Sequence, residues 1–458
     1  MLGRVFLAVL SLAVLVPSTR LFGQGAATEV GSAAVPAAAE LPSKDSSAGP
    51  SAEFRDGDRV VWLGATFIER MQRKNDLEAL LTAAFPDRTI TFRNLGWSGD
   101  NVWGESRALF GKPEDGFARL INDVTDVKPT MIVIAYGANE AHGGPIGIEP
   151  FVRALHRLLD ALAVTQARMV LLGGHRRESL GGRLPSPKSY NASLVQYNQA
   201  MQEVARQRNC AWISLQDLVG NDSPDASGLP PHPPMTRDGV HLTDRGYWIL
   251  APRIARLFSV PIGDELLTIQ IDGQGSSSTT ARPPVRRSRG RDPEVKTTSK
   301  GIEFNFAAVT LPYPVSWDDG GIHQSAPEDN RDVLQTRLRV VGLPPGAYRL
   351  RIDQQWATDA ISASDWATER GIVFPNRAAA VRYEQLRDEI LEKNALFFHR
   401  YRPQNETYLF LFRRHEQGNN AVEIPQFDPL IAEREQRIAA LRQPPIQHFE
   451  LIREERHP

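Results

Sequence analysis

The chain has 458 residues, with 53 Lys and Arg against 54 Asp and Glu, and this near balance gives no basis for a nucleic-acid or anionic-membrane partner. That length predicts two or three domains, and a 41% hydrophobic content is enough to build a core in each. A single cysteine, Cys210, excludes an internal disulfide. No Cys or His cluster has zinc spacing and there is no phosphate loop, so neither a metal nor a cofactor is expected.

In chain order, Met1-Leu-Gly-Arg4 and the apolar run from Val5 to Val16 predict a secretory signal peptide over residues 1–24. The run is short for a spanning helix. The protein is therefore expected to be exported (periplasmic, cell-surface or secreted), without a membrane span once the signal is removed. A retained N-terminal anchor is the other reading. Residues 25–52 are rich in Ala, Ser, Pro and Gly and read as a disordered tether.

Residues 53–260 carry an alternating pattern. Apolar runs at Val60–Leu63, Thr89–Phe92, Met131–Ala135, Met169–Leu172 and Ala211–Ser214 predict strands. Helical stretches at Phe67–Phe85, Phe151–Leu162, Ser193–Gln207 and Tyr247–Phe258 lie between or after them. Such alternation predicts a parallel sheet covered on both faces, with sites at the carboxyl ends of the strands. Cys210, just before the last of these runs, is expected to be buried.

Residues 261–300 read as a strand, Leu266–Ile271, and a linker carrying Ser276–Ser278 and Arg286–Arg291. That basic run is either a solvated loop or a recognition patch. Residues 301–458 are expected to form an α+β domain, a β-sheet followed by a helical hairpin. Its strands are Ile302–Phe306, Thr336–Val341 and Tyr348–Ile352, the last two flanking the turn-forming Gly342-Leu-Pro-Pro-Gly346. Its helices are Ala378–Phe398 and Pro429–Arg442, whose apolar faces need a partner outside the pair. The polar-aromatic segment from His399 to Asn420 either lines a substrate site or packs the hairpin onto the first domain.

Four blocks carry the chemistry: Trp62-Leu-Gly-Ala-Thr66, Asn94-Leu-Gly-Trp-Ser-Gly-Asp100, Tyr136-Gly-Ala-Asn139-Glu140 and Asp238-Gly-Val-His241. Singly, each has an ordinary explanation. Asn139 could cap a helix, and Asp238 could open a turn. In order, they resemble the signature blocks of the SGNH (GDSL-type) hydrolases, which cleave esters. The resemblance implies a flavodoxin-like three-layer α/β fold with a central parallel sheet. It also implies a nucleophile from the first block, oxyanion donors at Gly99 and Asn139, and an Asp238–His241 pair. Glu140 stands where the family usually has aspartate. The polar-aromatic segment resembles, more weakly, C-terminal extensions of some exported proteins of this type.

The physical roles fit that pattern. Imidazole titrates near neutrality and can serve as base, while a carboxylate on its other nitrogen fixes the tautomer. Gly99 can expose its backbone N–H, and Asn139 offers an amide donor. The first block departs from the family, reading Gly64-Ala65-Thr66 in place of Gly-Asp-Ser. Thr66 keeps a hydroxyl, but its methyl restricts χ1. Ser98, beside Gly99, is a second hydroxyl without a base placed for it. His175 and Arg176, past the fourth strand, are expected on the same rim, either against substrate or merely exposed.

Two functions follow. One is an exported hydrolase of small carboxyl esters, acylated carbohydrates among them, with Thr66 in the nucleophile position. The other is a binding protein for a carbohydrate or similar ligand that has kept the pocket and lost the nucleophile.

Overall fold

The computed structural model describes residues 50–219, 233–272, 277–282, 293–319, 322–325, 331, 333–417 and 420–454. The signal peptide, all but the end of the tether, and the Arg286–Arg291 run lie outside the described residues.

The first domain is built on a parallel sheet of β1 (Arg59–Gly64), β2 (Thr91–Asn94), β3 (Met131–Ala135), β4 (Arg168–Gly173) and β5 (Ala211–Ser214), in the order β2-β1-β3-β4-β5. That is the flavodoxin-like order, whose strand sequence reverses between β1 and β3 and opens a crevice there. Val60, Leu63, Ile132, Val133 and Ile134 are all fully buried. Both faces of the sheet are covered, so these strands run apolar without alternation. The helices are α1 (Thr66–Lys74), α2 (Asp76–Ala84), α3 (Pro113–Asp126), α4 (Ile148–Leu162), α5 (Lys188–Gln207) and α6 (Asp244–Leu257).

One expected helix is two. The Phe67–Phe85 stretch breaks at Asn75, which adopts a left-handed φ of 42° and closes α1 by donating its N–H to Met71 O at 2.8 Å. Asparagine takes this conformation at lower cost than most residues. Its side-chain amide donates to Arg387 O in the C-terminal region, so the break is also a docking point.

Beyond α6 the chain forms two sheets. The first joins β6 (Glu265–Ile271), β7 (Ser277–Arg282), β12 (Thr336–Val341) and β16 (Ile372–Val373) in the order β16-β12-β6-β7. The second takes β8 (Val295–Thr298), β9 (Gly301–Phe306), β13 (Ala347–Ile352), β14 (Gln355–Trp356), β15 (Ile361–Ser362) and β17 (Gln447–Arg453), with β17 between β13 and β9. A short hairpin, β10 (Ser316–Asp319) and β11 (Ile322–Ser325), stands apart. Leu267, Ile269, Leu338 and Val340 of the first sheet share a core with Phe304, Leu350, Phe449 and Leu451 of the second.

Three sequence expectations change here. The two strands that flank the Gly342–Gly346 turn lie in different sheets: β12 pairs in parallel with β6, while β13 passes to the other sheet and pairs with β17. The segment read as a linker contributes β7 and β8, because unpaired edges on β6 and β9 offer it a backbone ladder. The final strand, β17, follows the helices, where the sequence reading places no strand, although Gln447-His-Phe-Glu-Leu-Ile-Arg453 alternates as a half-buried strand should.

The helical pair is α8 (Arg377–Tyr401) and α10 (Phe427–Leu441), with short α7 (Ala363–Trp366) and α9 (Glu406–Leu409) beside it. It packs on the first domain. Tyr383, Leu386 and Ile390 of α8 join the core that holds Val60, Trp62 and Leu80, and Phe397, Tyr401 and Ile431 join the core on the sheet's other face. Lys393 is buried, and its ammonium donates to Glu78 and to Phe92 O. Burial pushes its pKa down, against the Glu78 carboxylate, which pulls it up.

Because Ile390 is fully buried against the first domain, Ile390→Ala is expected to cost about 2–5 kcal/mol of global stability. Chemical denaturation followed by tryptophan fluorescence should show one transition shifted to lower denaturant. Loss of an early, separate transition with the main one unmoved would contradict this packing.

Candidate active site

The four blocks meet at the carboxyl end of the parallel sheet. Gly64 ends β1, and Thr66 opens α1 with the backbone N–H of a first helical residue, which has no partner inside the helix. The loop after β2 brings round Gly99, whose φ of 77° is a region that favours glycine. The Gly99 N–H donates to Thr66 Oγ1 at 3.2 Å. The Asn139 amide donates to Asp100 O at 2.6 Å, so its side chain braces the loop after β2 and does not cap the helical turn that follows.

His241 and Asp238 form the expected pair. The His241 Nδ1–H donates to Asp238 Oδ2 at 2.7 Å, leaving Nε2 as the ring's acceptor nitrogen. Burial acts to raise the Asp238 pKa, but hydrogen bonds from the His241 ring, the His241 N–H and the Val240 N–H, with the imidazole's charge, hold it well below the usual carboxylate range. Gly239, at φ 82°, passes so close to Glu178 O that a Cβ would lie 2.8 Å from it. Glu178 in turn accepts from the Met235 N–H at 3.0 Å, the Thr236 N–H at 2.7 Å and the Thr236 hydroxyl. This carboxylate fixes the loop that carries Asp238 and His241, and the sequence held no signal for it.

Thr66, Asn139 and His241 line one cavity of about 110 Å³. Phe67, Leu172, Leu215 and Tyr247 give it apolar walls, and Arg70, His175, Arg177 and Tyr190 polar ones. Among the described residues no direct hydrogen bond joins the Thr66 hydroxyl to the imidazole. Resting enzymes often hold such pairs apart until substrate arrives. Burial lowers the His175 pKa, which favours the neutral ring there.

Arg176 is not on the rim. It pairs with Asp217 at 3.0 Å, and its neighbour Arg177 lines the cavity, stacked 3.6 Å over Tyr190 and donating to His142 Nε2 at 2.7 Å. Ser98 faces away from the cavity, with its hydroxyl donating to Glu69 Oε1 at 2.7 Å. Glu140 is structural. It accepts from the Val102 N–H at 2.6 Å and the Gly137 N–H at 2.8 Å, and burial raises its pKa to about 7. Cys210 is buried and free.

Among its described residues the polar-aromatic segment does not line the cavity; it props the loop after β2 from behind. Tyr401 donates its hydroxyl to Gly96 O at 2.8 Å. Arg402 stacks 3.8 Å over Trp97 and donates to Glu69 Oε2 at 2.5 Å. Glu303, His448 and Glu450 on the C-terminal sheet have metal-ligand spacing, but two hydrogen bonds from Arg351, of 2.7 and 2.6 Å, already occupy Glu450.

Residues 58–249 match the model of the GDSL-like lipase/acylhydrolase family, and that segment is a domain of this family. The chain is similar in structure to a gut microbial diltiazem-metabolizing enzyme at 16% identity and a TM-score of 0.66, covering 88% of this chain and 100% of that one. At that identity the likeness is one of fold, and it extends beyond the hydrolase domain. Smaller structures matched include an acetylxylan esterase from Geobacillus stearothermophilus, at 18% identity and a TM-score of 0.34 over 44% of this chain and 94% of that one. Another is a GDSL-like lipase from Bacteroides thetaiotaomicron, at 16% and 0.32 over 44% and 88%. No curated protein matches the chain.

Burial works to raise the Glu69 pKa, but hydrogen bonds from Ser98 and the Arg402 charge bring it below its ordinary value of 4.5. Its stabilising contribution is therefore full above that value and is lost as pH falls through the lowered one. Arg402→Ala should bring the folded-state pKa back up, so acid unfolding, followed by fluorescence, is expected to begin at higher pH. An unchanged acid limb would contradict the assignment.

Proposed function

We propose that the protein hydrolyses short-chain carboxyl esters, those of acylated carbohydrates among them, with Thr66 as nucleophile. The observation that supports this most is the hydrogen bond from the Gly99 N–H to the Thr66 hydroxyl, in a cavity that also receives Asn139 and His241. A cavity of about 110 Å³ is smaller than the roughly 150 Å³ that holds benzene. It suits an acetyl or similarly short acyl group.

In this reading His241 Nε2 takes the Thr66 proton as Oγ1 attacks the ester carbonyl, and Asp238 stabilises the imidazolium. The oxyanion is met by the Gly99 N–H and the Asn139 amide at the amino end of α1. Collapse breaks the bond to the alcohol, which leaves with the proton from His241. Water, deprotonated by the same nitrogen, then attacks the acyl-threonine, and the acid departs as Thr66 regains its proton. No step needs a metal or cofactor.

A binding protein with a silenced nucleophile is the second reading. Ala65 favours it, because it leaves the start of α1 without a side-chain cap where the family has aspartate. Export by the Met1–Val16 region is also proposed, and a mature N-terminus near residue 25 in protein recovered outside the cytoplasm would support it. An intact Met1 there would contradict cleavage.

Acetate release from short aryl esters should be slow in the wild type and lower by about 10²–10⁴ in His241→Ala. Thr66→Ser is expected to raise it roughly tenfold, a change of about 1.4 kcal/mol in the barrier. Undiminished turnover in Thr66→Ala would remove Thr66 as nucleophile. No turnover in either the wild type or Thr66→Ser would favour the binding protein.

A further inference from the structure

Beside the catalytic cavity lies a second hollow of about 560 Å³. The two are contiguous, since Arg70, Leu242 and Tyr247 line both. Five cations surround the second: Arg70, Arg73 and Lys74 from α1, Arg237 from the loop before Asp238, and Arg245 from the first turn of α6. Among the described residues its lining includes one carboxylate, Asp244, already paired with Lys74. Arg70 and Arg237 make no ion pair among the described residues. The Arg245 Nε is buried without a hydrogen-bond partner, and burial lowers that group's pKa against the pull of Glu178.

Ordinary causes account for only part of this cluster. Arg73 and Lys74 end α1, where cations complement the helix dipole. Arg245 sits at the opposite kind of end, where the dipole disfavours it, and Arg237 belongs to no helix. Like charges converging from three segments repel one another unless an anion is present. The whole chain carries a formal charge of only −1, so the excess is local. A nucleic acid would need an extended basic surface, not one hollow bounded by a catalytic cavity.

We propose that this hollow is an anion subsite, and that the substrate is an acylated saccharide carrying a carboxylate or a sulfate group. The inference rests on the ester-hydrolase reading and deepens it. With the acyl group at Thr66, the saccharide passes Arg70 and places its anion between Arg73 and Arg237. Guanidinium forks match the planar carboxylate and the oxygens of sulfate, giving both charge and orientation.

The test is a matched pair: O-acetylated oligogalacturonate with free carboxylates, and the same oligomer with its carboxyls methyl-esterified. The ratio of kcat/KM for acetate release, charged over neutral, should be about tenfold or more in the wild type. It should fall toward one in Arg73→Gln/Arg237→Gln, and in the wild type at high ionic strength, where charges are screened. An O-acetylated sulfated oligosaccharide and its desulfated form make the second arm, so preference for either charged member supports the subsite and names the anion. A ratio near one in both arms overturns it, even with brisk turnover. Calorimetry of the unacetylated oligogalacturonate and the unacetylated sulfated oligosaccharide with the wild type separates the two readings. Salt-sensitive binding of either, weakened in the double variant, without acetate release keeps the subsite and sinks the esterase; binding of neither and no preference sinks the subsite alone.

Discussion

One carboxylate ties α1, the loop after β2 and the C-terminal region together. Glu69 lies one turn after Thr66 on α1. It accepts from the Ser98 N–H at 2.8 Å and from the Ser98 hydroxyl, immediately before Gly99, and it receives Arg402 from beyond α8. The Asn94 amide, donating to Ile68 O at 2.6 Å, and the Trp97 N–H, donating to Gly64 O at 2.9 Å, join the same two segments beside it. An oxyanion donor acts only if it is in place before charge develops, so a stiff loop matters more than a strong one.

The same loop is fixed from within by buried charge. Arg107, fully buried, donates to Asp100 at 2.8 Å and to Leu95 O at 2.7 Å, and the Tyr136 hydroxyl donates to the same Asp100 oxygen at 2.8 Å. Burying ions is expensive, and it is tolerated where partners are supplied on several sides. Asp123 and Arg119 extend the network to Glu406 of α9, while Trp97 is flanked by Arg402 and Arg119, the latter 4.8 Å away. Removing one member would leave a charge unpaired in the interior, which explains why the C-terminal region is part of the site's support although none of its described residues lines the cavity.

The nucleophile slot is altered chemically while its surroundings are kept. A threonine hydroxyl at the start of a helix still faces a backbone donor, and the Asp238–His241 pair is intact. Ala65 gives α1 no side-chain cap, and Thr66 carries a methyl group beside its hydroxyl.

Much of the fold was legible because parallel strands buried on two faces must be apolar throughout, and Met131–Ala135 admits no other reading. The four blocks were legible because each follows a strand and carries residues with chemical reach. Other features were decided only by tertiary contacts. Position 75 breaks a helix where α8 docks, and Arg177 turns inward where Arg176 finds Asp217. Glu140 becomes a buried brace, and β12 and β13 part to different sheets across a turn that looks like a hairpin. None has a local signal, since each depends on a partner tens or hundreds of residues away. Thus the sequence alone determined the sheet, the block order and the chemistry available at Thr66, Gly99, Asn139, Asp238 and His241. The tertiary structure decided which arginines border the cavity and what holds the oxyanion loop still, because long-range ion pairs and packing are properties of the folded neighbourhood and not of any segment.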